Sequence, residues 1–286
     1  MGDFDELWDY SDPAGSEQRF RDHLAREALT GEQALALRTQ IARAQGLQRD
    51  FDGAHATLDA VEGELDATHD LARTRYLLER GRAVRSSGDS DASVTWFEQA
   101  RARAVDCGLD AFAVDAAHML AIADSAQALR WTHEGIRMAE ASSNERARAW
   151  LGPLYNNGGW THFERGELDD ALDLFQRGEA FHRPKGNTRG WRIALWTVGR
   201  TLRAQGRLQE ALEHQRDLLK HWEAVDQPGG YVQEELGECL LALGRPDEAR
   251  PHFAEAWRIL SKDRWLPTDE PDRLSRMAAL GGLAGP

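Results

Sequence analysis

Residues 155–178 read YNNGGWTHFERGELDDALDLFQRG, and residues 231–256 read YVQEELGECLLALGRPDEARPHFAEA. Laid over each other, both carry a glycine (Gly159, Gly237), a second seven residues on (Gly166, Gly244), an alanine five further (Ala171, Ala249) and a phenylalanine four beyond that (Phe175, Phe253). Alanine and phenylalanine four apart share one face of a helix. The second glycine stands where a helix ends and a positive φ is useful. The first glycine, in mid-helix, lets a second helix approach closely. Each stretch therefore predicts a helix hairpin. Working outward, a small residue one turn into a helix recurs at Ala54, Ser93, Ala128, Ala171, Ala211 and Ala249, with separations of 39, 35, 43, 40 and 38 residues. Such regularity predicts a repeat array of six hairpins. Twelve positions before these anchors come Ala42, Gly81, Gly159, Gly199 and Gly237, with Ala117 at eleven in a third unit whose loop is shorter.

Composition agrees. The 286 residues include only 8 Val and 5 Ile, so strand formers are scarce, and an all-α fold follows. Gly and Pro gather in short clusters (SSGDSD, AQGRLQ, LGRPDE) that separate the helical stretches. Ser11-Asp12-Pro13 predicts a helix start, with Phe20 four residues after Ser16 as in the other second helices. EPDRLSRMAALGG predicts a last helix that shields the sixth unit, as a repeat array requires.

The two quoted stretches resemble tetratricopeptide repeats, and the long period is similar to that of kinesin light chains and bacterial regulators. The resemblance covers roughly residues 30–262; units one and three depart from it, with Arg49 at the turn and Thr132 in an aromatic position. It implies a right-handed α-solenoid of about six such hairpins, with a capping segment over 1–29 and a capping helix and tail over 263–286. It also implies that the inner face of each first helix lines a concave groove for a ligand.

Spacing names the residues of that face. Eleven positions before the anchors stand Arg43, Arg82, Trp160, Arg200 and Glu238, with His118 equivalent in the short unit. Fourteen and fifteen before stand Gln40, Glu79, Asn156, Asn157, Trp196, Thr197, Glu234 and Glu235, with Asp115 equivalent; eight before stand Arg85, Phe163 and Arg203. Arginine offers a planar fork for a carboxylate, and asparagine a donor and an acceptor for a peptide backbone. Arg43, Arg82, His118, Asn156, Asn157, Trp160, Trp196, Arg200, Arg203 and Glu234 are the candidate ligand-binding residues. The set on units four and five resembles the carboxylate clamp of some tetratricopeptide domains, without its usual lysines. Arginines facing glutamates on neighbouring helices also read as a solvated ion-pair lattice. Arg80 falls on an apolar position and needs a partner if buried, with Glu79 and Asp115 as candidates.

These features favour a non-enzymatic interaction module that receives a peptide, or an acidic or C-terminal segment, of a protein partner. The alternative is a regulatory sensor for a small ligand or signalling peptide. A catalytic cluster of His118, Asp115 and Arg82 is the weakest reading, since no nucleophile-elbow, dinucleotide or phosphate-loop pattern occurs. Two cysteines, Cys107 and Cys239, give neither a disulfide framework nor a metal cage, and His214 with His221 lacks a third ligand, so no metal or cofactor is expected. A net charge of -13 disfavours nucleic acid and anionic membranes. No apolar run is long enough to span a bilayer, and the start, MGDFDELWDY, is acidic, so a cytoplasmic protein is expected. Self-association as a homo-oligomer is left open.

Overall fold

The computed structural model describes residues 4–183, 188–224, 229–263 and 265–283, without the side chain of Thr188. No strand occurs among them. The chain divides into two compact units, residues 1–154 and 155–286.

The first unit holds α1 (Pro13–Arg26), α2 (Gly31–Leu47), α3 (Phe51–Glu62), α4 (Asp70–Ser86), α5 (Ser90–Asp106), α6 (Asp110–Ala123), α7 (Ala128–Ala141) and the short α8 (Glu145–Ala149). The division falls inside α9 (Leu151–Glu164). The second unit continues with α10 (Leu168–His182), α11 (Thr188–Ala204), α12 (Leu208–Glu223), α13 (Gly230–Ala242), α14 (Pro246–Leu260), α15 (Leu266–Asp269) and α16 (Pro271–Leu280). Consecutive helices pack as antiparallel hairpins, α2 with α3, α4 with α5 and α6 with α7 in the first unit, and α11 with α12 and α13 with α14 in the second.

The helices begin where side-chain oxygens satisfy free backbone N–H groups. Asp12, Asp50 and Asp89 accept from the residue three positions on, and Thr30 with Gln33 makes a reciprocal capping box. They end in a repeated turn. In four hairpins a glycine at positive φ (Gly88, Gly166, Gly206, Gly244) precedes a backbone N–H that bonds five residues back, as Glu167 does to His162 at 3.0 Å. Unit one builds the same turn with Arg49 at φ 66°, where a side chain is disfavoured. Arg49→Gly is therefore expected to stabilise the protein by about 0.5 to 1 kcal/mol, the gain in turn conformation less the added freedom of the unfolded chain. Urea unfolding checks it, and an unchanged midpoint would mean that the Arg49 side chain offsets its own strain.

All six anchors are buried, from 0% exposure at Ala54, Ser93, Ala171 and Ala211 to 6% at Ala128. Opposite them the mid-helix glycines meet aromatic rings. A methyl group on Gly81 would come within 2.6 Å of Phe97, one on Gly237 within 3.0 Å of Phe253, and one on Gly159 would collide with Phe175. In the fifth hairpin the ring is replaced by Gln215, fully buried, whose amide donates to the Trp196 carbonyl at 3.2 Å. These rings join two cores, one around Phe20, Leu58, Tyr76, Phe97 and Trp131, the other around Phe175, Leu212, Leu236, Phe253 and Met277.

Three details differ from the sequence reading. The short third loop folds as a 3-10 turn, Ser125–Gln127, so Ala128 opens its helix instead of lying one turn inside it. Thr132 is buried at the aromatic position, and Trp131 beside it supplies the ring, its indole N–H donating to Asp124 at 3.1 Å. Arg80 is buried but pairs with neither Glu79 nor Asp115. It turns back to α3, where Asp59 and His55 receive it, and lies over the Tyr76 ring. At the back, α16 buries Leu274, Met277 and Ala278 and packs on α14. Of the expected caps, residues 1–3, Arg264 and residues 284–286 lie outside the described residues.

Candidate functional site

In the second unit the first helices α9 and α11 bring Trp160, Phe163, Trp196 and Arg200 into one cluster. Trp160 and Trp196 stand 6.0 Å apart between ring centres. The Arg200 guanidinium lies 5.9 Å from Trp160, 5.8 Å from Phe163 and 5.5 Å from Trp196, within cation–π range of all three. Asn156 and Asn157 lie one turn earlier on α9, half-buried, with the Asn156 amide donating to Asn157 Oδ1 at 3.2 Å. Trp160 packs edge-on to Phe175, so the hairpin core supports the cluster from beneath.

The arginines are not vacant. Arg200 donates to Glu235 at 2.6 Å, and Arg203 grips the same carboxylate with two N–H groups at 2.8 and 3.1 Å. Glu235 is fully buried. Glu234 does not join the open cluster: it is buried, and both its oxygens are taken by Arg273 of α16, at 2.7 and 2.6 Å. The last helix thus claims a residue that spacing alone assigns to ligand. Glu238 likewise pairs with Arg276.

In the first unit the same stripe forms a chain of ion pairs. Arg43 reaches Glu79 at 3.2 Å, and Arg82 bridges Glu79 at 2.7 Å and Asp115 at 2.5 Å. His118 sits one turn beyond Asp115 with its ring 4.9 Å from Trp150. Burial, followed by the influence of Asp115 in the opposite sense and of Arg82, leaves its pKa below the usual histidine value. His252 is shifted the same way, mainly by burial. For a histidine whose folded pKa is depressed, the unfolded chain takes up the proton first as pH falls. Stability contributed by the neutral ring is thus present above the unfolded pKa, near 6.5, and is lost on acidification below it. Urea midpoints should decline from about pH 7.5 to 5.5, and His118→Gln should flatten that decline.

Sequence reasoning missed the neighbouring cleft. A cavity of about 360 Å³ is lined by Arg192, Ile193, Trp196, Trp222, Gly230 and Tyr231, among others, with Ile193 44% and Tyr231 40% exposed. The Trp196 indole donates to the Tyr231 carbonyl at 3.1 Å, and Arg273 lies over the Tyr231 ring, so the cleft adjoins the cluster. A signal was present: Ile193 and Tyr231 both stand eighteen positions before their anchors, one turn further along the stripe already identified. A groove between α5 and α7, lined by Arg101, Glu134 and Met138, had no such signal. His162, Glu167 and Asp170 bring three potential ligand atoms within 4.8 Å of one another at the α9–α10 turn, where His162 Nδ1 and Glu167 already share a 2.6 Å contact. Both cysteines are free thiols, and burial pushes Cys239 up to about 12. No helix among the described residues is long and apolar enough to cross a membrane.

Residues 192–262 match the family model for tetratricopeptide repeats. No curated protein matches the sequence. Among solved structures, the apo form of RapI superposes with a TM-score of 0.76 at 10% identity, over 98% of this chain and 80% of that one. A signal-transduction ATPase with numerous domains and a tetratricopeptide repeat sensor, from Pyrococcus horikoshii, gives 0.74 at 12% identity over 92% of this chain. This chain spans only 41% of its length. NprR in complex with its cognate peptide NprX gives 0.51 at 14% identity, over 97% of this chain and 81% of that one. At such identities the likeness is one of fold, that of an all-α solenoid.

Proposed function

We propose that the second unit, whose residues 192–262 match the family model for tetratricopeptide repeats, is a non-enzymatic module that binds an extended peptide segment of a protein partner. The repeat body is taken as residues 30–262. The observation that carries the reading is the juxtaposition of Trp160, Trp196 and Arg200 beside the cleft under Tyr231, with Asn156 and Asn157 one helical turn before Trp160 on α9. Amide side chains hold a peptide backbone; the cleft takes one apolar side chain. Half-buried tryptophan beside arginine is the composition of binding hot spots. Arg200 spends one Nη1 donor on Glu235 and its Nε is buried, so its remaining Nη donors are the ones left for a carboxylate of the peptide. All of these groups stand on helices, and little ordering accompanies binding. The likeness to NprR with its peptide supports a second, related reading, a sensor for a signalling peptide.

Peptides selected by display on the full chain, then titrated calorimetrically, test the proposal. Asn157→Ala and Arg200→Ala should each weaken binding at least tenfold, about 1.4 kcal/mol, with helix content unchanged. Normal binding by both variants, together with loss on substitution in the second helices, would refute the first-helix face as the site. A large change in scattering radius on saturation would favour the sensor reading over a passive module.

A further inference from the structure

The first unit presents only part of its first-helix face openly, where Arg43, Leu47, Glu79 and Arg82 line a cavity of about 180 Å³; the part beside it is covered. Residues 4–10, FDELWDY, form one 3-10 turn at Asp5–Leu7, leave it in extended backbone at Trp8 and lie against that face. Trp8 donates its indole N–H to Gln40 at 3.1 Å and packs edge-on to Phe20. Tyr10 stacks on Trp8 with ring centres 4.8 Å apart and planes 3° from parallel. The Arg43 guanidinium lies 5.9 and 5.8 Å from these two rings. Further along, Phe4 is buried beside Arg75 of α4, which also covers Phe112 of α6. Asp5 forms an ion pair with Arg146 of α8. Seven residues thus touch the first helices of two successive hairpins and the short α8, and meet a third hairpin through Arg75.

Gln40, Arg43 and Arg75 belong to the first helices, whose counterparts in the second unit carry the asparagines, tryptophans and Arg200. The segment carries Asp5, Glu6 and Asp9 and no basic residue. On the face identified by spacing, Arg43, Arg75, Arg82 and Arg85 stand with Glu79 and Asp115. Acid and aromatic groups meet base and amide. The segment is also held from α1, where Arg19 donates to the Leu7 carbonyl at 2.9 Å and the Ser16 hydroxyl accepts from the Asp9 N–H at 2.8 Å and donates to the Asp9 carbonyl at 2.9 Å. Only Phe4 is fully buried, Tyr10 is 62% exposed, and an exposed ion pair such as Asp5–Arg146 adds little.

We propose that residues 4–10 are a tethered ligand of the first unit, whose first-helix face binds acidic, aromatic segments, and that the chain's own segment closes the site until a partner segment of the same chemistry displaces it. Tethering gives the internal segment a high effective concentration, so an outside peptide binds the intact chain weakly. This site is separate from the one on residues 155–286, and each can fail without the other.

The probe is a fluorescent peptide with the sequence of residues 1–11. It should bind the full chain carrying Trp8→Ala and Asp5→Lys at least tenfold more tightly than the unaltered chain. The same peptide with its tryptophan replaced by alanine should bind neither. Equal affinity for both chains, or a double variant that no longer folds, would overturn the proposal, because the segment would then be a plain structural cap. Hydrogen exchange on the unaltered chain provides a second reading that needs no variant. The Leu7 and Trp8 amides, bonded to the Phe4 and Asp5 carbonyls, should exchange through a local opening, faster than the amides of α2, and faster still with excess peptide. Protection equal to that of α2, unmoved by the peptide, would likewise overturn it.

Discussion

Phe175→Ala is expected to cost about 3 to 5 kcal/mol in the unfolding of the second unit. The ring is 2% exposed, sits against the Cα of Gly159 and supports the Trp160 ring at 5.5 Å. Its removal leaves a void that neither helix can close, because the glycine has no side chain to move into it and Ala171, one turn earlier, is too short. Transfer of the ring to water and the remaining cavity both add to the cost. Since repeat proteins can unfold in parts, the measurement is a urea titration followed by tryptophan fluorescence, with the slope checked against the parent. A loss under about 1 kcal/mol would mean that the ring does not fill the hairpin. Gly159→Ala, which drives a methyl group into the same ring, should also destabilise, and the two changes combined should cost less than their sum because each relieves the other.

That pair of residues explains why the fold was legible. A glycine facing a phenylalanine is a requirement of close helix approach, so it must recur at a fixed spacing, and the anchors at Ala54 through Ala249 could be found by spacing alone. Where the requirement is met by other chemistry, the pattern breaks. Gln215 fills the fifth hairpin with an amide, and Trp131 replaces the ring of the third from the adjacent position. The extra turn of α8 absorbs the 43-residue interval before Ala171 without any change of pattern. The site was legible as a set of positions but not as a set of partners. Arg43, Arg82, Arg200 and Arg203 all reach acids 32 to 36 residues away on the next hairpin, so spacing placed both members of each pair without joining them. Glu234 went to Arg273 because the last helix, packed on α14, extends its arginine side chains to α13, a contact outside the repeat. The segment over Gln40 and Arg43 has no repeat equivalent at all, and nothing in its sequence marks where it lies.

Glu235 decides how far the ion-pair lattice serves stability and how far it serves binding. Its side chain is 1% exposed and accepts from Arg200 and Arg203, which keep 29% and 25% of their own exposure. Glu235→Ala removes the acceptor of three charged hydrogen bonds and leaves two guanidinium groups facing each other. The expected loss is about 3 kcal/mol, at the low end for breaking a buried pair because both arginines retain access to water. Glu238→Ala is the control: Arg276, its partner, is half exposed, and the loss should stay below about 1 kcal/mol. The two roles of Arg200 then separate by readout. With Glu235 gone, a peptide carboxylate meets no internal rival for the fork, so a variant that is less stable should bind a carboxylate-bearing peptide more tightly. Titration below the unfolding midpoint reads that affinity directly. Lower stability with unchanged affinity would show that Arg200 serves only to join α11 to α13, and that the ligand is held by the asparagines and the Trp196 cleft.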